Sequence, residues 1–329
     1  MDWERVLSRS YPYNFVIGGR GIGKTYGLLV EAIRRDWRYI YLRRTDVELE
    51  LSVSPDANPY RKINTDLGMD YAIRGRGKLR TIERGEDREI VGYGAALSTF
   101  GKLRGVDFSR VGQIIYDEFV PPAGAARLAD EGPALMQLYE TVNRNRELEG
   151  SAPVSLYCLS NATSLASPVL AYLDLIRPIE RMLAADREEW SDDARGVYIY
   201  LPRAGALAAA KRDTALYRLI GDDDVAAQNL DNRFAGDSMY NVGTRPLREY
   251  AAVWSYDDLY AYRHKSRNEL YICRSRADCQ RFGRDTVEGW RRYIAPYLRE
   301  DIEAGRVTFA DYTAKVEVYN LLRLRLTNA

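Results

Sequence analysis

Apolar residues cluster into short runs that alternate with amphipathic stretches. Tyr13-Asn14-Phe15-Val16-Ile17 runs into Gly18 and predicts a buried strand. Lys24 to Arg35 has helical spacing, and Trp37 to Arg44, around Tyr39-Ile40-Tyr41-Leu42, predicts a second buried strand. Residues 71 to 94 predict irregular strands with glycine-rich turns. Val111 to Tyr116 predicts an apolar strand ending in Asp117-Glu118, Glu131 to Glu147 a helix through Leu135, Leu138, Tyr139 and Val142, and Val154 to Leu159 a strand ending in Ser160-Asn161. Strands alternating with helices predict an α/β fold, a parallel sheet covered on both faces.

The pattern changes near residue 186, where the acidic segment Asp186 to Asp193 precedes an Ala-rich, charged and helical stretch from 203 to 224. Alternating strands then follow at 249–256, 259–263 and 269–273, with helical patterns at 286–303 and 312–326. The expected organisation is a first domain over 1–185, a linker or small subdomain over 186–225, and a smaller α/β domain over 226–329.

Composition narrows the possibilities. The chain has 329 residues, 46% of them hydrophobic, which is enough for a large core and excludes global disorder. It has no apolar run long enough to span a bilayer and no apolar signal core at its start. Net charge is +1, so contact with nucleic acid would have to come from local patches. Three cysteines and one histidine leave no disulfide framework, His-rich metal site or Ser-His-Asp triad. The basic residues are 41 Arg and 7 Lys. Guanidinium forks match phosphate geometry, although a GC-rich genome gives the same bias.

The strongest chemical signal is G-x-x-x-x-G-K-[ST] over Gly18-Gly19-Arg20-Gly21-Ile22-Gly23-Lys24-Thr25, between a strand and a helix. Glycines let backbone N–H groups turn inward around phosphates, and the helix N-terminus adds its dipole. Lys24 would reach the β- and γ-phosphates of ATP, and the Thr25 hydroxyl would ligate Mg²⁺. Asp117 and Glu118, delivered by an apolar strand expected beside the P-loop strand, would hold the Mg²⁺ shell and polarise the attacking water, respectively. Asn161 can hydrogen-bond the γ-phosphate or the lytic water, or simply cap a turn. Arg144 and Arg146, near a helix end, can serve as an arginine finger on a neighbouring subunit or favour the helix dipole. Arg20 can do similar work in cis or form a salt bridge. Arg74, Arg76, Lys78 and Arg80 have alternate spacing that would put four charges on one strand face, able to track phosphates. Residues 263–284 hold seven basic and two acidic residues with interleaved tyrosines, a second candidate patch.

In this order the motifs resemble the DNA-packaging motor ATPases, or encapsidation proteins, of phi29-type podoviruses. The resemblance rests on Asn14-Phe15-Val16-Ile17-Gly18 with Arg20 to Lys24, Ile40 to Arg44, Tyr116 to Phe119, Thr141-Val142 with Arg144 to Glu147, Cys158 to Ala162, and Leu230 to Ser238. It implies an additional-strand P-loop core and a C-terminal domain similar to RNase H-like nucleases but without their activity. It implies a homo-oligomeric ring, usually a pentamer, on the capsid portal (connector). Such a ring moves double-stranded DNA into a procapsid in the host cytoplasm, with a packaging RNA as partner and no membrane. By motif position it makes Arg144 the trans-acting finger and Arg104 a second trans-acting basic residue. Asp46 stands where the family tends to be basic, which puts a DNA contact there in doubt. Alternative readings are another oligomeric ATPase of the filamentous-phage assembly type, a nucleotide-switched binding module, or a terminase-like nuclease using Asp231, Asp237, Asp257 and Asp258.

Overall fold

The structure is a computed structural model that describes residues 1–103, 105–121, 128, 130–162, 165, 167–203, 205–221, 241–322 and 324. The chain forms two compact units, Met1–Ala235 and Gly236–Ala329.

The first unit is built on a nine-stranded sheet: β1 (Tyr13–Gly18), β2 (Tyr39–Arg43), β3 (Tyr71–Arg74), β4 (Leu79–Arg84), β5 (Glu89–Ala96), β6 (Gln113–Asp117), β7 (Ser155–Asn161), β8 (Glu189–Asp192) and β9 (Val197–Tyr200). Their order is β3-β4-β5-β2-β6-β7-β1-β9-β8. The run β5-β2-β6-β7-β1-β9 is parallel throughout. Strands of such a core have no solvent face, which is why β1, β2, β6 and β7 read as continuous apolar runs. The helices are α1 (Trp3–Leu7), α2 (Lys24–Arg34), α3 (Asp46–Leu51), α4 (Arg61–Leu67), α5 (Glu131–Asn143), α6 (Pro168–Tyr172), α7 (Ile176–Ala184), α8 (Ala206–Arg212) and α9 (Ala215–Ile220). On one side of the sheet, Leu28 and Leu29 of α2 pack with Trp3, Val16, Tyr41, Ile115 and Leu159 in a continuous buried cluster.

Three expectations change. The sheet is not parallel throughout: the 71–94 strands, joined by glycine turns and irregular at Ile82–Glu83 as expected, form an antiparallel extension, β3-β4-β5, on its edge. The segment expected to be a linker from 186 begins as part of the sheet: the hairpin β8–β9 pairs through β9 with β1, Tyr13 opposite Val197. Its acidic residues make ion pairs back to α1 and its flank, Arg5 to Glu188 (3.3 Å) and Arg9 to Glu189 (2.8 Å). The helix expected to reach Glu147 stops at Asn143, where Arg144 takes φ +50° and ends the helical register.

The second unit has a five-stranded mixed sheet: β10 (Tyr250–Tyr256), β11 (Leu259–His264), β12 (Leu270–Cys273), β13 (Gln280–Phe282) and β14 (Val307–Phe309), in the order β13-β10-β11-β12-β14. β10, β11 and β12 form an antiparallel meander, with β13 and β14 parallel to its edges. α10 (Val287–Tyr293), α11 (Ala295–Glu303) and α12 (Tyr312–Leu322) accompany it. Trp254, Trp290, Leu298, Phe309 and Val318 form its core. The expected helix over 286–303 is two helices, because Pro296 in the first turn of α11 cannot continue the hydrogen-bond ladder. The segment 230–238, which carries part of the family resemblance, lies outside the described residues up to 238, as do Asp231 and Asp237.

Candidate active site

Parallel pairing brings the C-terminal ends of four strands to one edge. Gly18 of β1 lies opposite Asn161 of β7, Asp117 of β6 opposite Leu159 of β7, and Leu42 of β2 opposite Tyr116 of β6. This edge is where open α/β sheets bind ligands. The acid-bearing strand is not next to the P-loop strand, as the motif spacing had suggested. β7 lies between them and contributes Asn161, the additional-strand arrangement that the resemblance implied.

The loop from Gly18 to Gly23 turns sharply into α2. Gly21 and Gly23 adopt φ of +79° and +87°, where a side chain would be strained, and Gly23 sits at the N-cap of α2. A Cβ on Gly18 would meet Ile22 and Pro202, each at 2.9 Å, so the loop is also packed closely from outside. Lys24 is the first residue of α2 and is buried. Its Nζ donates to the carbonyl oxygens of Gly18 (3.0 Å) and Gly19 (2.8 Å) and to Oδ1 of Asn161 (3.0 Å). Burial pushes its ammonium down to about 8, against the pull of Glu118 and Asp117.

Thr25 Oγ1 donates to Asp117 Oδ1 at 2.7 Å. The other oxygen, Oδ2, accepts from the Tyr41 hydroxyl (2.8 Å) and the Arg43 guanidinium (3.3 Å). Thr25 and Asp117 thus present two adjacent hard oxygen donors, which suits Mg²⁺ bound through few protein ligands. Glu118 follows with φ +56°, a left-handed conformation that costs a non-glycine residue roughly 1–2 kcal/mol. Buried Tyr116 and Phe119 on either side hold it there, with Phe119 edge-on to Phe15 (5.9 Å between ring centres). Asn161 Nδ2 donates to both carboxylate oxygens of Glu118, at 3.1 and 3.3 Å. Burial, then the neighbouring Asp117 charge, raises the Glu118 carboxyl above the usual range, opposed by Arg43, Lys24 and Arg20. One amide therefore bridges the loop lysine and the second acid.

The remaining candidates separate. Arg20 is exposed and its carbonyl accepts from Lys211 Nζ (2.5 Å). Arg144 is exposed, and its guanidinium donates to the Val106 carbonyl (3.0 Å). Among the described residues it has no bond to the loop or to the acids. Arg146 donates to the carbonyls of Ser109 (2.5 Å) and Val111 (2.6 Å), bracing the exit of α5 against the chain entering β6. Arg104 lies outside the described residues.

The four-charge strand face does not exist. Residues 75–78 are a turn between β3 and β4, with Gly75 and Gly77 at φ +98° and +96°. Arg80 is buried, Lys78 (2.7 Å) and Arg80 (3.5 Å) pair with Asp46, and Arg74 pairs with Glu83 (3.5 Å). Asp46 thus offsets part of that patch from within, and Glu83 a further part. In the second unit, Arg274 donates to both Asp258 and Glu317, so Asp258 is held by an ion pair.

Sequence reasoning missed Tyr41 and Arg43. Their spacing of two puts them on one face of β2, and a strand that pairs with β6 brings that face to Asp117. It also missed the buried pair Arg44–Glu131 (2.8 Å), which ties the end of β2 to the start of α5, and it missed Lys211.

The chain matches the podovirus DNA encapsidation protein (Gp16) family over residues 1–258. It is 30% identical over 247 residues to the DNA packaging protein of Bacillus phage phi29, covering 74% of this chain and 68% of that one. To the DNA packaging protein of Bacillus phage B103 it is 28% identical over 243 residues, covering 72% and 67%. Among solved structures, a chain of the bacteriophage phi29 genome packaging motor assembly superposes with a TM-score of 0.69 at 19% identity, covering 98% of both chains. The crystal structure of the N-terminal domain of the phi29 DNA packaging ATPase superposes with a TM-score of 0.50 at 28% identity, covering 63% of this chain and 97% of that one.

Proposed function

This chain belongs to the podovirus DNA encapsidation protein family, and we propose that it is the ATP-hydrolysing subunit of a viral DNA-packaging motor. The observation that carries the proposal is the convergence at one sheet edge: Lys24 and Glu118 share Asn161, and Thr25 shares Asp117. In this reading Gly18 to Thr25 bind the triphosphate, with loop amides and Lys24 as its donors. Thr25 and Asp117 hold Mg²⁺, which when bound offsets phosphate charge. Glu118 orients and deprotonates the attacking water, and its raised pKa makes it a better base than an ordinary glutamate. Asn161 holds Glu118 and Lys24 together, so a ligand that recruits Lys24 loosens Asn161 from one side and frees Glu118 to turn toward water.

Arg144, exposed at a helix end and, among the described residues, hydrogen-bonded through its side chain to a carbonyl alone, is the finger offered to a neighbouring subunit, with Arg104 as the second trans-acting base. Arg146 is its brace. A ring, a pentamer by resemblance, would sit on the procapsid portal in the host cytoplasm and translocate double-stranded DNA, with a packaging RNA as partner. Among the described residues no helix is long and apolar enough to cross a membrane. We read the antiparallel meander flanked by parallel strands in the second unit as the RNase H-like domain, serving nucleic-acid and portal contacts.

The test is ATP turnover by the full chain with and without double-stranded DNA, against Glu118→Gln. DNA-stimulated turnover should appear only with Glu118. It should fall steeply with salt, each neutralised phosphate adding about −0.9 to the log–log slope. A DNA effect absent at low salt would reject the motor reading.

A further inference from the structure

Lys211 lies on α8, beyond the last strand of the nine-stranded sheet and 187 residues after Lys24. Its side chain reaches back to the phosphate loop, where Nζ donates to the carbonyl of Arg20 at 2.5 Å. The same nitrogen stands 2.9 Å from where a Cβ on Gly21 would lie, so the ammonium passes directly over a residue whose positive φ shapes the loop. Among the described residues no carboxylate is within ion-pair distance of it. Its charge also reaches the buried ammonium of Lys24, which it helps to depress.

A cation parked on a neutral main-chain acceptor next to a like charge lacks only an anion. A phosphate oxygen carries formal negative charge where the Arg20 carbonyl carries only a partial one, so phosphate entering the loop would add ion–ion attraction to the hydrogen bond and outcompete that carbonyl. We propose that Lys211 is a second phosphate-binding cation of the nucleotide site, supplied in cis by the segment that follows the sheet. This deepens the nucleotide-binding reading and rests on it. The exchange from carbonyl to phosphate also gives α8 a contact that depends on the nucleotide. Hydrolysis and release would return Lys211 to Arg20, so the segment after the sheet would follow the state of the site.

The experiment is calorimetric titration of the full chain with ATP and with ADP in Mg²⁺, for wild type, Lys24→Ala, Lys211→Met, Lys211→Gln, Lys211→Arg and the control Lys62→Met. Lys62 carries the same charge on α4, where it pairs with Asp66 (2.8 Å). Lys211→Met should weaken ATP about tenfold, equivalent to about 1.4 kcal/mol. It should weaken ADP less, because ADP carries less negative charge. Lys211→Arg should stay within about threefold of wild type, since it keeps the cation. Lys211→Gln keeps a donor for the Arg20 carbonyl but no charge, and should behave like the methionine variant. Full affinity in Lys211→Gln would overturn the proposal, because the side chain would then matter only as a tether for the loop. Wild-type ATP affinity in Lys211→Met, alongside lost binding in Lys24→Ala, would overturn it while leaving the nucleotide site standing. ATP binding unchanged in Lys24→Ala would instead refute the site itself. Thermal melts without nucleotide should be equal for the three Lys211 variants, separating lost binding from lost fold.

Discussion

Replacing Tyr41 by Phe removes a single hydroxyl from the acid that would hold Mg²⁺. The ring is 2% exposed, so water cannot take the place of the lost O–H. The bond it makes, to Asp117 Oδ2 at 2.8 Å, is a hydrogen bond to a charged group, worth about 1.5–3 kcal/mol. Asp117 keeps Thr25 and Arg43 as donors, so it is not orphaned and the low end of that range applies. The phenylalanine ring preserves the packing among Val16, Leu28, Ile115 and Leu159. For a unit of 235 residues, a loss of about 1.5 kcal/mol lowers the melting midpoint by roughly 3–6 °C. Outer partners of metal ligands commonly tune affinity by about 10–100-fold, so the Mg²⁺ needed for half-maximal turnover should rise within that range. A double-mutant cycle with Asp117→Asn isolates the pair. A melting shift below about 1 °C together with no coupling in the cycle would refute the claim that Tyr41 positions Asp117.

Three other outcomes follow from the same geometry. Glu118→Gln should bind ATP but turn it over about 10²–10⁴-fold more slowly. The Glu118 pKa is raised in the folded state, so the stability linked to its protonated form is present at low pH and lost as pH rises through the raised value. The glutamine variant should therefore melt above wild type at pH 7, and this advantage should vanish below the ordinary glutamate pKa. Equal melting at pH 7 would contradict the burial of that charge. Arg144→Ala and Arg146→Ala should part company. The first should cost about 10³–10⁵ in turnover with unchanged melting and be partly rescued in rings mixed with a Lys24 variant, whereas the second should lower melting. Because burial brings Lys24 down to about 8, ATP affinity measured by titration should decline as pH rises above 8, and a flat profile to pH 10 would contradict it.

Much of the site was legible because its parts are local. A glycine-rich turn between a strand and a helix, or an apolar run ending in two acids, is fixed by residues a few positions apart. Contacts between distant segments were not legible. The ion pairs by which Asp46 holds Lys78 and Arg80 join residues 32 and 34 positions apart, and nothing in the 74–80 stretch announces them. The alternate spacing suggested a strand face, but Gly75 and Gly77 made it a turn. The acidic stretch from 186 looked solvated, yet Glu188 and Glu189 meet arginines from the first ten residues. Lys211 was invisible for the same reason: it acts at a loop nearly two hundred residues earlier.

The placement of β9 beside β1 also bears on how the molecule comes into being. The strand that carries the phosphate loop precedes both of its neighbours in the chain by a long way, since they end at Asn161 and Tyr200. Until both have been synthesised, β1 has unpaired edges, and pairing across such long separations closes slowly. A fragment stopping at residue 185 would leave one edge of β1 open to another chain, a ready template for self-association. One extended to Tyr200 would close it, so solubility should improve sharply between those two end points.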